Sequence, residues 1–304
     1  MLKTFSLAVL LACAAALPEA SAQQAIPRTA DGHPDFHGVW STRWLTPTER
    51  PASARTLVLD NAEAARLTAE ILARAEANNP LDPELAAPDA ETLAIVRGEF
   101  RSSLIIEPAD GKLPYTPTGR AAARSYVSGL DGPEQRMTTE RCIGGVAWAP
   151  LQIRSGAMLH RFVMTPQFVV LQTEAYDETR ILPLGAQHQP AAIERPGGDS
   201  IAHWDGNALV VDTRHLNPKF STHGIVTVTS PAATISERFE MVSADEIVYT
   251  YTITDPAYYS QPWTAQYSFV RTADRMFEFA CHEGNYSMGG MLAGARRTQG
   301  PSAE

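Results

Sequence analysis

Beyond Cys142 the chain is written in short runs of alternating or β-branched residues set off by turn residues. The runs are "MLHRFVMT", "FVVLQTEAY", "SIAHW", "ALVVDT", "GIVTVTS", "ATISERFEMV", "EIVYTYTIT", "TAQYSFVRT" and "MFEFACHE". Alternation with a period of two predicts strands that bury one face. The intervening "TPQ", "DGN", "SPA", "SADE" and "TADR" are short enough for hairpins. In "HWDGNALVVD" a tight hairpin is expected with Asp205 and Gly206 at its tip. Successive strands with short connections predict an antiparallel meander. Closing such a sheet removes its exposed edges, so residues 131–304 are expected to form a lipocalin-like β-barrel, with a two-sheet β-sandwich as the alternative.

The N-terminal half has a different texture. Residues 23–44, beginning "QQAIPRTADGHPDFHG", carry the Pro, Gly and Asp content of an extended arm, which Trp40 and Trp44 would pin to the body. Residues 45–130 read as a helical and loop-rich cap. In "DNAEAARLTAEILARAEA", Asp60 or Asn61 can cap a helix whose apolar face is Ala64, Leu67, Ile71 and Leu72. Further helices are expected over "DAETLAIVRGEFRSS" and "TPTGRAAARSYVSG".

The first residues change the compartment. Lys3, the apolar run Phe5 to Leu17 and "ASA" ending at Ala22 have the anatomy of a secretory signal peptide over residues 1–22. A lipoprotein signal centred on "LLAC" at Cys13 is the competing reading. The mature protein is therefore expected in the periplasm or outside the cell, with no membrane span. Removing the signal leaves Cys142 and Cys281, and exported proteins join such pairs. That disulfide would close a loop of about 140 residues, worth about 4–5 kcal/mol in chain-entropy models. A free Cys281 thiolate served by His282 is the opposing reading, but neighbours on a strand point to opposite faces.

Net charge is −9 with the signs well mixed, and no basic arm or basic helix face is present, so nucleic acid is excluded as the expected partner. No Gly-rich phosphate loop follows a strand, and no "GxSxG" elbow occurs, which disfavours nucleotide enzymes and α/β-hydrolases. His33 and His37 stand four apart in "HPDFH", but Pro34 argues against the helix that would make them co-ligands. No metal site and no cofactor are expected, although a site built from distant histidines stays open.

Strand phase points to candidate chemistry. In "ISERFEM" the residues Ile235, Glu237, Phe239 and Met241 share a face, which turns the Glu237 carboxylate inward. Such a group is either a general acid or base, or half of an ion pair with Arg180, Arg154 or Arg271. His160 falls in phase with Phe162 and Met164, and His203 with Ile201; both are candidates to work with Glu237, as is His282 at the end of the last run. Glu174, in phase with Phe168 and Val170, offers a second inward carboxylate. Tyr176, Arg180, Trp204, Tyr259, Trp263, Glu283 and Tyr286 complete an expected substrate-binding set, with ordinary strand packing as the alternative for each aromatic.

The combination "IPRTADGHPDFHGVW", "RCIGGVAW", "GGDSIAHWDGNALVVDT", "SERFE", "DPAYYSQPW" and "FACHEGNY" resembles a widespread family of exported, largely uncharacterised bacterial proteins. The resemblance covers most of the mature chain and implies little chemistry. Where that family carries an arginine before the Trp-x-Gly hairpin, this chain has His203, which leaves a role in substrate choice open.

These readings converge on an exported enzyme acting on a small, partly apolar organic molecule by cofactor-independent acid/base chemistry, as a lyase, isomerase or hydrolase. The alternative is a non-catalytic small-molecule-binding protein of lipocalin-like type. Oligomeric state is not encoded in any motif.

Overall fold

The computed structural model describes residues 25–78, 90–128, 138, 141–151, 159–193, 195–217, 222–223 and 227–299. The expected signal peptide lies outside the described residues, as do Arg154 and Met158. The architecture is mainly antiparallel β, built around one ten-stranded sheet.

In chain order the strands are β1 (Gly38–Ser41), β2 (Val58–Leu59), β3 (Ile95–Val96), β4 (Glu99–Arg101), β5 (Ile105–Glu107), β6 (Leu159–Met164), β7 (Phe168–Thr173) and β8 (Glu178–Pro183). They continue as β9 (Asp199–Asp205), β10 (Ala208–Arg214), β11 (Thr222–His223), β12 (Thr227–Val228), β13 (Thr234–Met241), β14 (Glu246–Thr254) and β15 (Trp263–Thr272). The large sheet runs β8-β7-β6-β1-β15-β14-β13-β10-β9, with β5 also pairing β15. The sequence's meander is therefore present, with the N-terminal β1 inserted between its first and last strands. The two outer strands meet at one parallel bridge, Leu184 to Ala202, where the Gly185 N–H donates to the Ala202 carbonyl at 2.9 Å.

The core occupies one face of this sheet, and it follows from alternation. On β13 Ile235, Glu237, Phe239 and Met241 are all buried, as their phase requires. The register places Tyr251 opposite Glu237 on one side and Val211 on the other. Trp40, Phe162, Phe239, Tyr249, Tyr267 and Phe269 fill the same face. Several of these rings meet edge to face, a favoured geometry for aromatic quadrupoles.

Helix Asn61–Asn78 opens on a reciprocal cap. The Glu63 N–H donates to Asp60 Oδ1 at 2.8 Å, and the Asp60 N–H to Glu63 Oε2 at 3.1 Å. Its face seals a small second core through Ala64 and Leu67, while Leu72 is exposed. Helix Pro117–Ser128 is capped by Thr116, whose Oγ1 accepts the Gly119 N–H at 3.0 Å. Among the described residues no helix is long and apolar enough to cross a membrane.

Two expected elements take other forms. "AIVRGEFR" is a hairpin, β3–β4, and not a helix: Arg97 and Gly98 both have positive φ (52° and 81°), the conformation of a two-residue type I′ turn. "MFEFACHE" is not a strand. Both edges of β15 are already occupied, by β14 on one side and by β1 and β5 on the other, so no place remains beside it. Residues 273–280 instead run irregularly with Phe277 exposed, and Cys281–Gly284 form a single helical turn. The disulfide between Cys142 and Cys281 is formed, with the Cα atoms 5.8 Å apart, and fixes that turn to the body.

Candidate functional site

Glu237 is fully buried, and its charge is met in full. Arg180 on β8 donates Nη1 to Oε1 at 3.0 Å and Nη2 to Oε2 at 2.5 Å, and the Tyr249 hydroxyl donates to Oε1 at 2.7 Å. Arg180 Nη2 also reaches the Ser200 and Thr213 hydroxyls at 3.0 and 2.9 Å. Burial works against the guanidinium charge, but the facing Glu237 carboxylate outweighs it and holds Arg180 above its ordinary value. Burial first, and Glu237 second, push the Tyr249 phenol well above its ordinary range. The network then ties in the backbone: the Leu151 N–H donates to Tyr249 Oη at 2.9 Å, and Tyr267 Oη donates to the Leu151 carbonyl at 2.8 Å. Just upstream the Glu178 carboxylate accepts the N–H groups of Gly145, Val146 and Ala147. A buried ion pair is tolerated when its remaining hydrogen-bonding capacity is filled, and this one is filled by chain segments that must hold position.

His160 is also inward and buried, as its phase implies, but it belongs to another group of residues. Its ring is held between the Thr42 and Thr173 hydroxyls at 3.0 and 3.1 Å and lies 5.0 Å from Phe269. Burial lowers its pKa to about 3. His203 departs from its expected phase: Ala202 is the buried residue, and His203 is exposed on the outer face opposite Val210. His282 and Glu283 are exposed on the Cys281–Gly284 turn, and Tyr286 is exposed beyond it. The four residues expected to share catalysis thus occupy four environments.

The expected substrate-binding residues separate in the same way. Glu174 is buried and accepts the Phe277 N–H at 2.8 Å, but not through its expected phase: Val169, Leu171 and Thr173 are the inward set of β7, and Phe168 is exposed. Tyr176, at positive φ, sets its ring 4.7 Å from Phe279. The Tyr259 hydroxyl donates to the Val228 carbonyl at 2.8 Å, and Trp263 packs beside it at 5.7 Å. Among these residues, Trp204 lines a cavity formed by the described residues.

That cavity, of about 420 Å³, lies where the N-terminal arm folds over Trp204, Met164 and Leu184. The arm is shaped by a tight turn: the Gly32 N–H bonds the Thr29 carbonyl, Gly32 sits at φ 83°, and Arg28 bridges to Pro34. This sets the His33 ring on Trp204, with centroids 4.8 Å apart and planes within 12°. Phe36 is buried beneath, 5.4 Å from the same indole. His37 has a fixed tautomer. The Met164 N–H can only donate, so Nε2 accepts it at 3.1 Å, leaving Nδ1–H to donate to Asp35 Oδ1 at 2.7 Å. Asp31 and His33 line the cavity, and no side-chain hydrogen bond to either is formed by the described residues. Sequence reasoning weighed His33 and His37 for a metal and passed over Asp31 and Met164. The signal was the turn chemistry of "TADGHPD" beside an aromatic strand end.

On the outer face of β9–β10, His188 bridges Asp199 Oδ2 and Asp212 Oδ1, each at 2.7 Å, with Arg195 and Arg214 alongside. These charges satisfy one another and anchor the connection between β8 and β9. A second cavity, about 590 Å³, lies beside helix Asn61–Asn78 and is lined by Ala64, Thr68, Leu72 and Phe100. Among the described residues no group of three or more His, Cys, Asp or Glu is arranged to hold a metal ion. In comparison with known proteins, no family model matches the chain, and no curated protein matches it.

Proposed function

We propose that the chain is an exported small-molecule-binding protein of lipocalin-like type, its sheet closed as a barrel and its ligand seated in the cavity at Trp204. One observation carries this reading. Every oxygen of the inward carboxylate is committed to Arg180 or Tyr249, whereas unpartnered polar groups beside apolar walls face the Trp204 cavity. Ligand sites have this composition, mostly apolar with a few convergent polar groups, at volumes of roughly 300–1,000 Å³. Acid/base chemistry at Glu237 would require the carboxylate to leave a bidentate partner inside the core.

Closure is supported by the Leu184–Ala202 bridge between the outer strands, and by Arg180 on β8 reaching Glu237 on β13 across the buried face. Export is supported by the signal-like first residues and is compatible with the Cys142–Cys281 disulfide.

Calorimetric titration of the protein with phenethylamine, 2-phenylethanol and phenylacetate tests the site. Saturable binding of at least one probe is expected, lost in Trp204→Ala and retained in Tyr249→Phe. Binding that survives Trp204→Ala, or no saturable binding at all, defeats the reading.

A further inference from the structure

We infer that the Trp204 cavity selects ring-bearing molecules with hydrogen-bond donors, amines above alcohols, and rejects carboxylates and phosphates. This rests on the reading of that cavity as the ligand site and names the ligand class it takes.

The first argument is a count of donors and acceptors. Thr29 Oγ1 donates its proton to the His33 carbonyl at 3.3 Å, and Thr165 Oγ1 donates to the Phe168 carbonyl at 3.2 Å. Both hydroxyls that line the cavity have therefore spent their single donor on backbone, and a hydroxyl has only one. His37 Nδ1–H is likewise engaged by Asp35. Among the lining side chains, the capacity left is that of the Asp31 carboxylate, which only accepts when ionised, a lone pair of Thr29, and the His33 ring with at most one N–H in its neutral form. The lining side chains are rich in acceptors and poor in donors, so a ligand that pairs with them must bring the donors. A carboxylate or phosphate would bring more acceptors and leave them unmatched, which costs affinity wherever water is displaced.

The second argument is charge. Asp31 is the one residue of fixed charge in the lining, and neither Lys nor Arg is part of it. The nearby cations are turned elsewhere. Arg28 donates to the Gly32 carbonyl and Asn207 Oδ1, and Arg238 pairs with Asp205. Arg271 donates to the His37 and Ala244 carbonyls while lying over the Trp40 ring at 4.2 Å. Asp35, beside His37, adds a second negative group next to the site. Anion recognition uses Arg, Lys or a helix N-terminus aimed at the ligand, and none lines this space.

The third argument is shape. The stacked His33 and Trp204 rings, with Pro166, Met164 and Leu184, form flat and apolar walls suited to a planar ring. An ammonium group near an aromatic ring and a carboxylate gains on both counts.

The experiment is a competition among near-isosteric probes with the full chain at about pH 8, above the ordinary histidine range. Phenethylamine is expected to bind tightest, 2-phenylethanol next and phenylacetate weakest, with the amine about tenfold tighter than the carboxylate at low salt. In Asp31→Asn the amine-to-carboxylate ratio should fall to about threefold or less, and high salt should shrink it in the native chain but not in the variant. Phenylacetate binding as tightly as phenethylamine, while Trp204→Ala still abolishes binding, overturns the ligand class and leaves the site standing. An amine preference undiminished in Asp31→Asn overturns the charge argument at its source. Binding of none of the three, or binding insensitive to Trp204→Ala, removes the cavity reading and the ligand class with it.

Discussion

The Arg180–Glu237–Tyr249 network and the Trp204 cavity use similar residue types to opposite ends. In the first, a carboxylate, a guanidinium and a phenol are excluded from water and satisfy one another completely. In the second, a carboxylate and an imidazole sit beside an indole at the surface with their hydrogen-bonding capacity open. A polar residue on an apolar face therefore says little about function until its partners are counted. Both oxygens of Glu237 are committed inside the core, whereas no side-chain hydrogen bond among the described residues holds Asp31.

The comparison breaks most sharply at Arg180. Arg180→Met leaves Glu237 buried without its counter-charge, and a loss of about 3–5 kcal/mol in denaturant unfolding is expected. A loss below about 1 kcal/mol would mean that the network is wet and that Glu237 is free for chemistry after all. Replacing both Cys142 and Cys281 by serine should cost about 2–5 kcal/mol, the upper end being the chain-entropy value for so long a loop. Because the bond lies far along the sequence from the arm, probe binding at Trp204 should persist below the new melting point.

His160 supplies the pH-dependent test. Its folded pKa of about 3 is below the ordinary 6.5, so between those values the unfolded chain binds the extra proton. Stability is full above about pH 6.5 and falls as the pH drops toward 3, by up to ~1.4 kcal/mol per pH unit from this group. Unfolding curves across that window should flatten in His160→Gln relative to the native chain; parallel curves would show that the ring is solvated. The smallest stability effect belongs to the cavity. His33→Ala should change stability by no more than about 0.5–1 kcal/mol while weakening phenethylamine binding by about tenfold, read by calorimetry. A large stability loss there would move His33 into the structural class with Glu237.

Much of the β region was legible because one buried face imposes a period of two. Glu237 and His160 point inward as read, the pairing of Glu237 with Arg180 was one of the expected alternatives, and the Asp60 and Thr116 caps start helices. Phase failed on β7, where the buried set is Val169, Leu171 and Thr173 and not Phe168 and Val170, and on β9, where Ile201 suggested the inward set. Its true phase is fixed by register with β10, which sets Ala202 opposite Val211 and Trp204 opposite Leu209. The connection carrying His188 covers part of the outer face, buries Asp199 and blurs the polarity difference that phase depends on. "MFEFACHE" failed for a reason no local pattern holds: whether a strand forms depends on a vacant edge, and β15 had none. The cavity was hidden because it is made of turn geometry and a distant strand end.

β1 gives the molecule an order of assembly. Its four residues pair β6 on one side, and three of them, Val39 to Ser41, pair β15 on the other, across some 230 positions of chain to residue 272. A ribosome releases β1 among the first elements of the body and β15 among the last. Until β15 arrives, one edge of β1 has no native partner, and the sheet cannot acquire its final neighbour relationships. Long-range pairing of this kind slows folding and leaves an adhesive edge exposed meanwhile. The arm that shapes the Trp204 cavity is continuous with β1, so its anchoring is complete only once both neighbours of that strand are in place.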